Sequence, residues 1–177
     1  SFFILLAIGT LIYRRKELIA LNLHPNKLLS RESSLFLGTI TLCAAALVIT
    51  AGTSWPIISK GSVDATFYNK MNLPIAIMIA FINGISLLLK WKNTPEKQFF
   101  KSLMFPLILA LMVTVGVVFV GVQDFLIALF ALAALFTFFI NIEIAVNIVR
   151  KNRSQAGAYI AHMGLALVFL GIIGSSK

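Results

Sequence analysis

Charge is what this sequence has least of. Asp, Glu, Lys and Arg make up 12% of its 177 residues, where a water-soluble domain carries roughly a quarter. A chain this short still exposes much of its surface when folded. A core in water therefore cannot absorb the 59% of residues that are hydrophobic, and the composition asks for lipid as solvent. Acid is scarcer still, with six Asp and Glu against fifteen Lys and Arg, and there is no paired acidic motif. The lone cysteine, Cys43, excludes an internal disulfide and a cysteine metal cluster; inside an apolar run it reads as a small packed hydrophobe. Glycine-rich phosphate loops and a Gly-x-Ser-x-Gly elbow are missing, which removes the common soluble catalytic sites. The basic excess lies between apolar runs and not along a stripe, so no nucleic acid partner is expected.

What is present is a succession of apolar runs. Residues 2–13 hold the first, and 34–52, 73–89, 103–121, 125–149 and 156–174 hold five more. The five complete runs are 17 to 25 residues long, the length a helix needs to cross a hydrocarbon core about 30 Å thick. They lack the period-two alternation of an outer-membrane barrel. The first run gives about twelve apolar positions where a span needs roughly twenty. No basic region precedes it and no small-residue cleavage site follows, so it does not read as a signal peptide. The reading is an all-α polytopic transmembrane helical bundle, a single domain over residues 1–177 with about six passes. The first pass is truncated, as in a fragment of a longer chain.

The connections alternate in charge. Arg14, Arg15, Lys16, Lys27 and Arg31 follow the first run, Lys90, Lys92, Lys97 and Lys101 the third, and Arg150, Lys151 and Arg153 the fifth, which is twelve of the fifteen basic residues. The positive-inside rule sends these to the cytoplasm, and it sends segment 53–72, residues 122–124 and the C-terminal end outside. Segment 14–33 is thus a cytoplasmic basic stretch. Within it 17–29 is half apolar, too short to span, broken at Pro25, and suited to lie at the interface. Segment 53–72 is the outer, periplasmic connection, and its Trp55, Phe67 and Tyr68 suit an interfacial aromatic belt.

An ionisable group in hydrocarbon costs about 3 kcal/mol on insertion scales and marks a functional candidate. Two such residues lie well inside runs. His162, nine residues past Arg153, sits on the order of 10 Å into the membrane from the basic side. Three uses fit it: binding haem iron or another metal, relaying protons, or bonding a neighbouring helix. Glu143 shares a helix face with Asn147 and Arg150. It fits a packed polar stripe, and it also fits a partner that orients the imidazole from the adjacent antiparallel helix. His24, beside Pro25, reads as a solvated connection residue.

Short motifs then line up in order. Ser30-Arg31-Glu32-Ser33 opens a helix that closes on Gly52-Thr53-Ser54-Trp55-Pro56. Phe67-Tyr68-Asn69 and Pro74 follow, and Ala161-His162-Met163-Gly164 lies in the last run. Over residues 28–174 this resembles the C-terminal membrane half of the CcmF family, the haem lyase subunits of system I cytochrome c maturation. The resemblance implies residence in the bacterial cytoplasmic membrane and haem attachment to apocytochrome c on its outer side. It implies as partners a haem chaperone, apocytochrome c and other maturation subunits, beside membrane lipid. It also implies a haem b with His162 as one axial iron ligand. The family's tryptophan-rich haem segment is not in this sequence, whose tryptophans are Trp55 and Trp91; neither outer connection holds a histidine, and Met163 replaces the commoner leucine. No catalytic residue is therefore assigned. The other reading is a non-catalytic membrane subunit or transporter piece whose His162 and Glu143 serve packing or proton transfer, although discontinuous helices at matched positions are not seen.

Overall fold

The computed structural model describes residues 2–15, 29–59, 61, 63–150 and 157–175. Among them are six helices and no strand: α1 (Phe2–Tyr13), α2 (Arg31–Ser59), α3 (Ala65–Leu88), α4 (Glu96–Phe119), α5 (Phe125–Val149) and α6 (Gly157–Ser175). Helices α2 to α6 are long and apolar enough to cross a membrane, and the 12-residue α1 is not. The protein is a polytopic helical bundle. The interfacial segment expected over 17–29, except Leu29, and His24 with it, lie outside the described residues.

Three helix starts, those of α2, α3 and α5, have a local side-chain cause. Ser30 Oγ accepts from the Ser33 amide at 3.2 Å and begins α2. Asp64 accepts from the Ala65 amide at 2.7 Å, and Asp124 accepts from the Leu126 and Ile127 amides at 2.8 and 3.1 Å. Each of these oxygens satisfies donors that a first turn leaves unpaired. Helix α4 ends where Gly121 adopts φ 121°, a conformation that favours glycine.

The connections are shorter than the apolar runs suggest. Segment 53–72, expected to connect two spans, is helical over Thr53–Ser59 and again from Ala65. Pro56 and Pro74 are therefore internal to α2 and α3. Side-chain oxygens hold the carbonyls around Pro56, Thr53 Oγ1 donating to Ile49 O at 2.8 Å and Ser59 Oγ to Trp55 O at 3.1 Å. Such bonds let a membrane helix tolerate proline.

Helix α5 is the centre of the bundle. Helices α3, α4 and α6 pack around it, and α2 packs on α3. Ala133, Ala134, Ile140 and Asn141 of α5 are fully buried. Small residues let helix backbones approach where no water drives association. At the closest point a Cβ on Gly84 of α3 would meet Thr137 Oγ1 at 2.8 Å and the Phe136 ring at 3.1 Å. There the Thr137 hydroxyl donates to Ala80 O of α3 at 2.6 Å. The outer surface is apolar, with Leu35, Phe36, Leu47, Phe105 and Met112 half exposed or more, as suits contact with lipid.

One end of the bundle carries the basic connections. There Leu29 O accepts from the Thr94 amide at 2.9 Å, and the Arg31 amide donates to Lys90 O at 3.0 Å. The Arg31 guanidinium lies 5.6 Å over the Trp91 ring. These contacts tie the start of α2 to the α3–α4 connection.

Two outcomes are expected. Gly84→Ala overpacks the α3–α5 contact and destabilises the bundle by about 1–3 kcal/mol, read as a lower thermal midpoint in detergent, whereas Thr137→Val removes one interhelical bond and costs about 0.6 kcal/mol. The second concerns Asp64, whose carboxyl is held below its ordinary value by the Thr66 hydroxyl and then by the Ala65 amide. A depressed value stabilises the folded start of α3 above the ordinary carboxylate range and loses that contribution as pH falls through the folded value. Amide exchange at Ala65–Phe67 should therefore accelerate on acidification, and Asp64→Asn should abolish that pH dependence.

Candidate functional site

His162 lies in the second turn of α6, five residues past its first residue, Gly157. It shares a stripe with Ala166, Phe169 and Ile173, at spacings of four, seven and eleven that keep side chains on one helix face. Ala166 and Ile173 are buried, so this is the face that packs on the bundle. The imidazole is half-buried and makes no hydrogen bond among the described residues.

The Phe130 and Phe169 rings, 5.3 Å apart, fix the register between α5 and α6. Phe130 is near the start of α5 and Phe169 near the end of α6, so the helices run antiparallel. Seven residues back from Phe169 is His162, and seven residues on from Phe130 is Thr137. The imidazole is thus level with Thr137. Glu143 stands six residues further along α5, on the order of 9 Å nearer the basic end. It is half-buried, with Asn147 and Arg150 exposed on its stripe. Among the described residues no hydrogen bond joins Glu143 of α5 to His162 of α6.

Two residues missed in the sequence lie closer to that level. Asn141 is fully buried, and its Nδ2 donates to Thr137 O at 2.8 Å. Its Oδ1 has no partner. Thr137 and Asn141 carry no charge and sit in an unbroken apolar run, so a search for ionisable groups passes over them. Their spacing of four was the available signal.

Among the described residues no group of three or more His, Cys, Asp or Glu side chains comes together. A bare metal ion therefore finds no cage of protein ligands there. Haem supplies its own four equatorial nitrogens and asks the protein for axial donors. A free, half-buried imidazole on a packing face of the bundle fits that requirement on one side of the iron.

At the end opposite the basic connections a cleft of about 420 Å³ opens among Tyr68, Asn69 and Asn72 of α3, Phe130 of α5, and Phe169 and Ile173 of α6. No charged side chain lines it. Phe169 is seven residues from His162, on the order of 10 Å along the axis, so the cleft does not enclose the imidazole. Its Tyr68 wall leans on α2, where a Cβ on Gly52 would meet the Tyr68 ring and hydroxyl at 2.8 Å. Two motifs far apart in the chain, Gly52-Thr53 and Phe67-Tyr68-Asn69, are thereby in contact.

This architecture defines a class: a polytopic helical membrane protein with an imidazole set within the span that makes no hydrogen bond among the described residues. No family model matches the sequence, and no solved structure matches it. Curated relatives do. Protein ccl1 of Rhodobacter capsulatus, a cytochrome c-type biogenesis protein, is 31% identical over 160 residues, covering 82% of this chain and 24% of its own length. The cytochrome c-type biogenesis proteins CcmF of Haemophilus influenzae and Escherichia coli are 31% and 29% identical over 84% and 86% of this chain, and 26% and 25% of their own lengths. The chain belongs to the CcmF-type cytochrome c biogenesis proteins and spans about a quarter of the length of the curated relatives it matches.

The glycine contacts give a paired test. Gly52→Ala should lower the thermal midpoint, because overpacking of about 1–3 kcal/mol outweighs the gain in helix propensity of about 1 kcal/mol. Gly116→Ala, where nothing lies within 4 Å of the added Cβ, should hold or raise it.

Proposed function

We propose that this chain is a membrane segment of a cytochrome c maturation protein, and that its bundle holds a haem b through His162. The observation that carries the reading is the half-buried imidazole on the packing face of α6, which makes no hydrogen bond among the described residues. An imidazole left unbonded within a membrane span has a cost, and coordination of iron removes it. The membership in the CcmF-type family supports the same assignment.

In this reading α5 and α6 orient the imidazole and exclude water from it. When bound, the haem supplies one-electron chemistry at a potential set by its ligands and their surroundings. Basic connections, including Arg31, Lys90, Lys92, Lys97 and Arg150, face the cytoplasm. The partners are membrane lipid, a haem chaperone, apocytochrome c and the other maturation subunits.

The test uses the complete protein containing this segment, purified from membranes. His162→Ala should abolish the reduced-minus-oxidised spectrum of the b-type haem while the protein stays folded, and an intact spectrum in that variant would refute the assignment. Glu143→Gln should leave the spectrum unchanged, since the carboxyl stands off the level of the imidazole. A spectral change in this variant would place the carboxyl beside the haem after all.

A further inference from the structure

The imidazole and the Asn141 amide are two incomplete hydrogen-bonding groups on adjacent helices. A histidine that ligates a metal through one ring nitrogen almost always donates its other N–H to an acceptor, which fixes the ring. Asn141 Oδ1 is such an acceptor, fully buried and without a partner. The amide's orientation follows from its surroundings, because Nδ2 must face the Thr137 carbonyl.

Geometry brings the two toward each other. Asn141 shares the stripe of Phe130, Ala134 and Thr137, at spacings of eleven, seven and four. His162 shares the stripe of Phe169, which meets the α5 stripe at Phe130, while the same α5 stripe reaches α3 through the Thr137 hydroxyl. Along the axis Asn141 is four residues beyond the level of His162, on the order of 6 Å. Helical side chains lean toward their own N-terminus. Because α5 and α6 are antiparallel, Asn141 leans toward the level of Thr137, as its bond to Thr137 O shows, while His162 leans the opposite way, toward Asn141. Glu143 is two residues from Asn141, about 200° around the helix, and faces away from this seam.

We infer that Asn141 is the positioning residue for His162, its Oδ1 accepting the imidazole N–H when the ring binds iron. This deepens the haem reading and rests on it. An acceptor on the imidazole makes it a better donor and favours the ferric state, so loss of the acceptor raises the reduction potential.

The experiment is a redox titration of the holoprotein, full chain, with its native haem. Asn141→Leu should keep the haem bound but weaken the preference for ferric over ferrous iron by about tenfold, which for a one-electron couple is about 59 mV upward. Asn141→Asp, which keeps an acceptor oxygen at the same place, should restore the original potential or lower it. Thr137→Val is the packing control, and it should alter the thermal midpoint but not the potential. An unchanged potential in Asn141→Leu, or equal shifts in Asn141→Leu and Thr137→Val, would overturn the inference. If Asn141→Leu fails to fold, the potential of Asn141→Ser decides by the same criterion. A haem spectrum that survives His162→Ala would refute the ligand assignment itself, so the two failures are distinguishable.

Discussion

The contact between α3 and α5 at Gly84 sets the rest of the bundle. With no Cβ at Gly84, the Thr137 hydroxyl and the Phe136 ring come up against the α3 backbone. The same hydroxyl bonds the Ala80 carbonyl. This holds α5 deep between its neighbours, and the alanines beside it complete the burial. With α5 placed, α6 finds its register through Phe130 and Phe169, and α4 packs on the remaining side. The level and direction of every polar group inside the bundle follow from that one close approach.

In lipid an unmatched polar group has no water to turn to. Most hydroxyls in these helices meet that demand locally: Thr41, Thr53 and Thr114 donate to carbonyls one turn back. Thr137 donates across to another helix instead. The exceptions are informative for the same reason. Among the described residues Ser34 Oγ and Asn141 Oδ1 are buried without a partner, and His162 shows no hydrogen bond. Asn141 and His162 belong to α5 and α6, which pack on each other.

Much of this was legible in the residues. The spans were visible because hydrocarbon thickness imposes a length on any helix that crosses it, and run 125–149 coincides with α5 residue for residue. The short motifs that resemble CcmF also lie where contacts are made: Ser30 and Arg31 join the 90–94 connection, and Gly52 receives Tyr68. The helical extensions Thr53–Ser59 and Ala65–Asn72 were not legible. Proline and polar side chains suggest a connection, whereas local bonds from Thr53 and Ser59 and the Asp64 cap keep these residues helical.

By itself the sequence determined that the chain is a helical membrane bundle, which helices cross, and that His162 is the ionisable group to explain. It could do so because hydropathy and charge are properties of each residue in its own solvent. Tertiary structure alone decided which faces meet: Gly84 admits Thr137 and Phe136 of α5 against α3, and Phe130 of α5 meets Phe169 of α6. Rotation and register of one helix against another depend on the shapes of both, and no single run of residues contains that information.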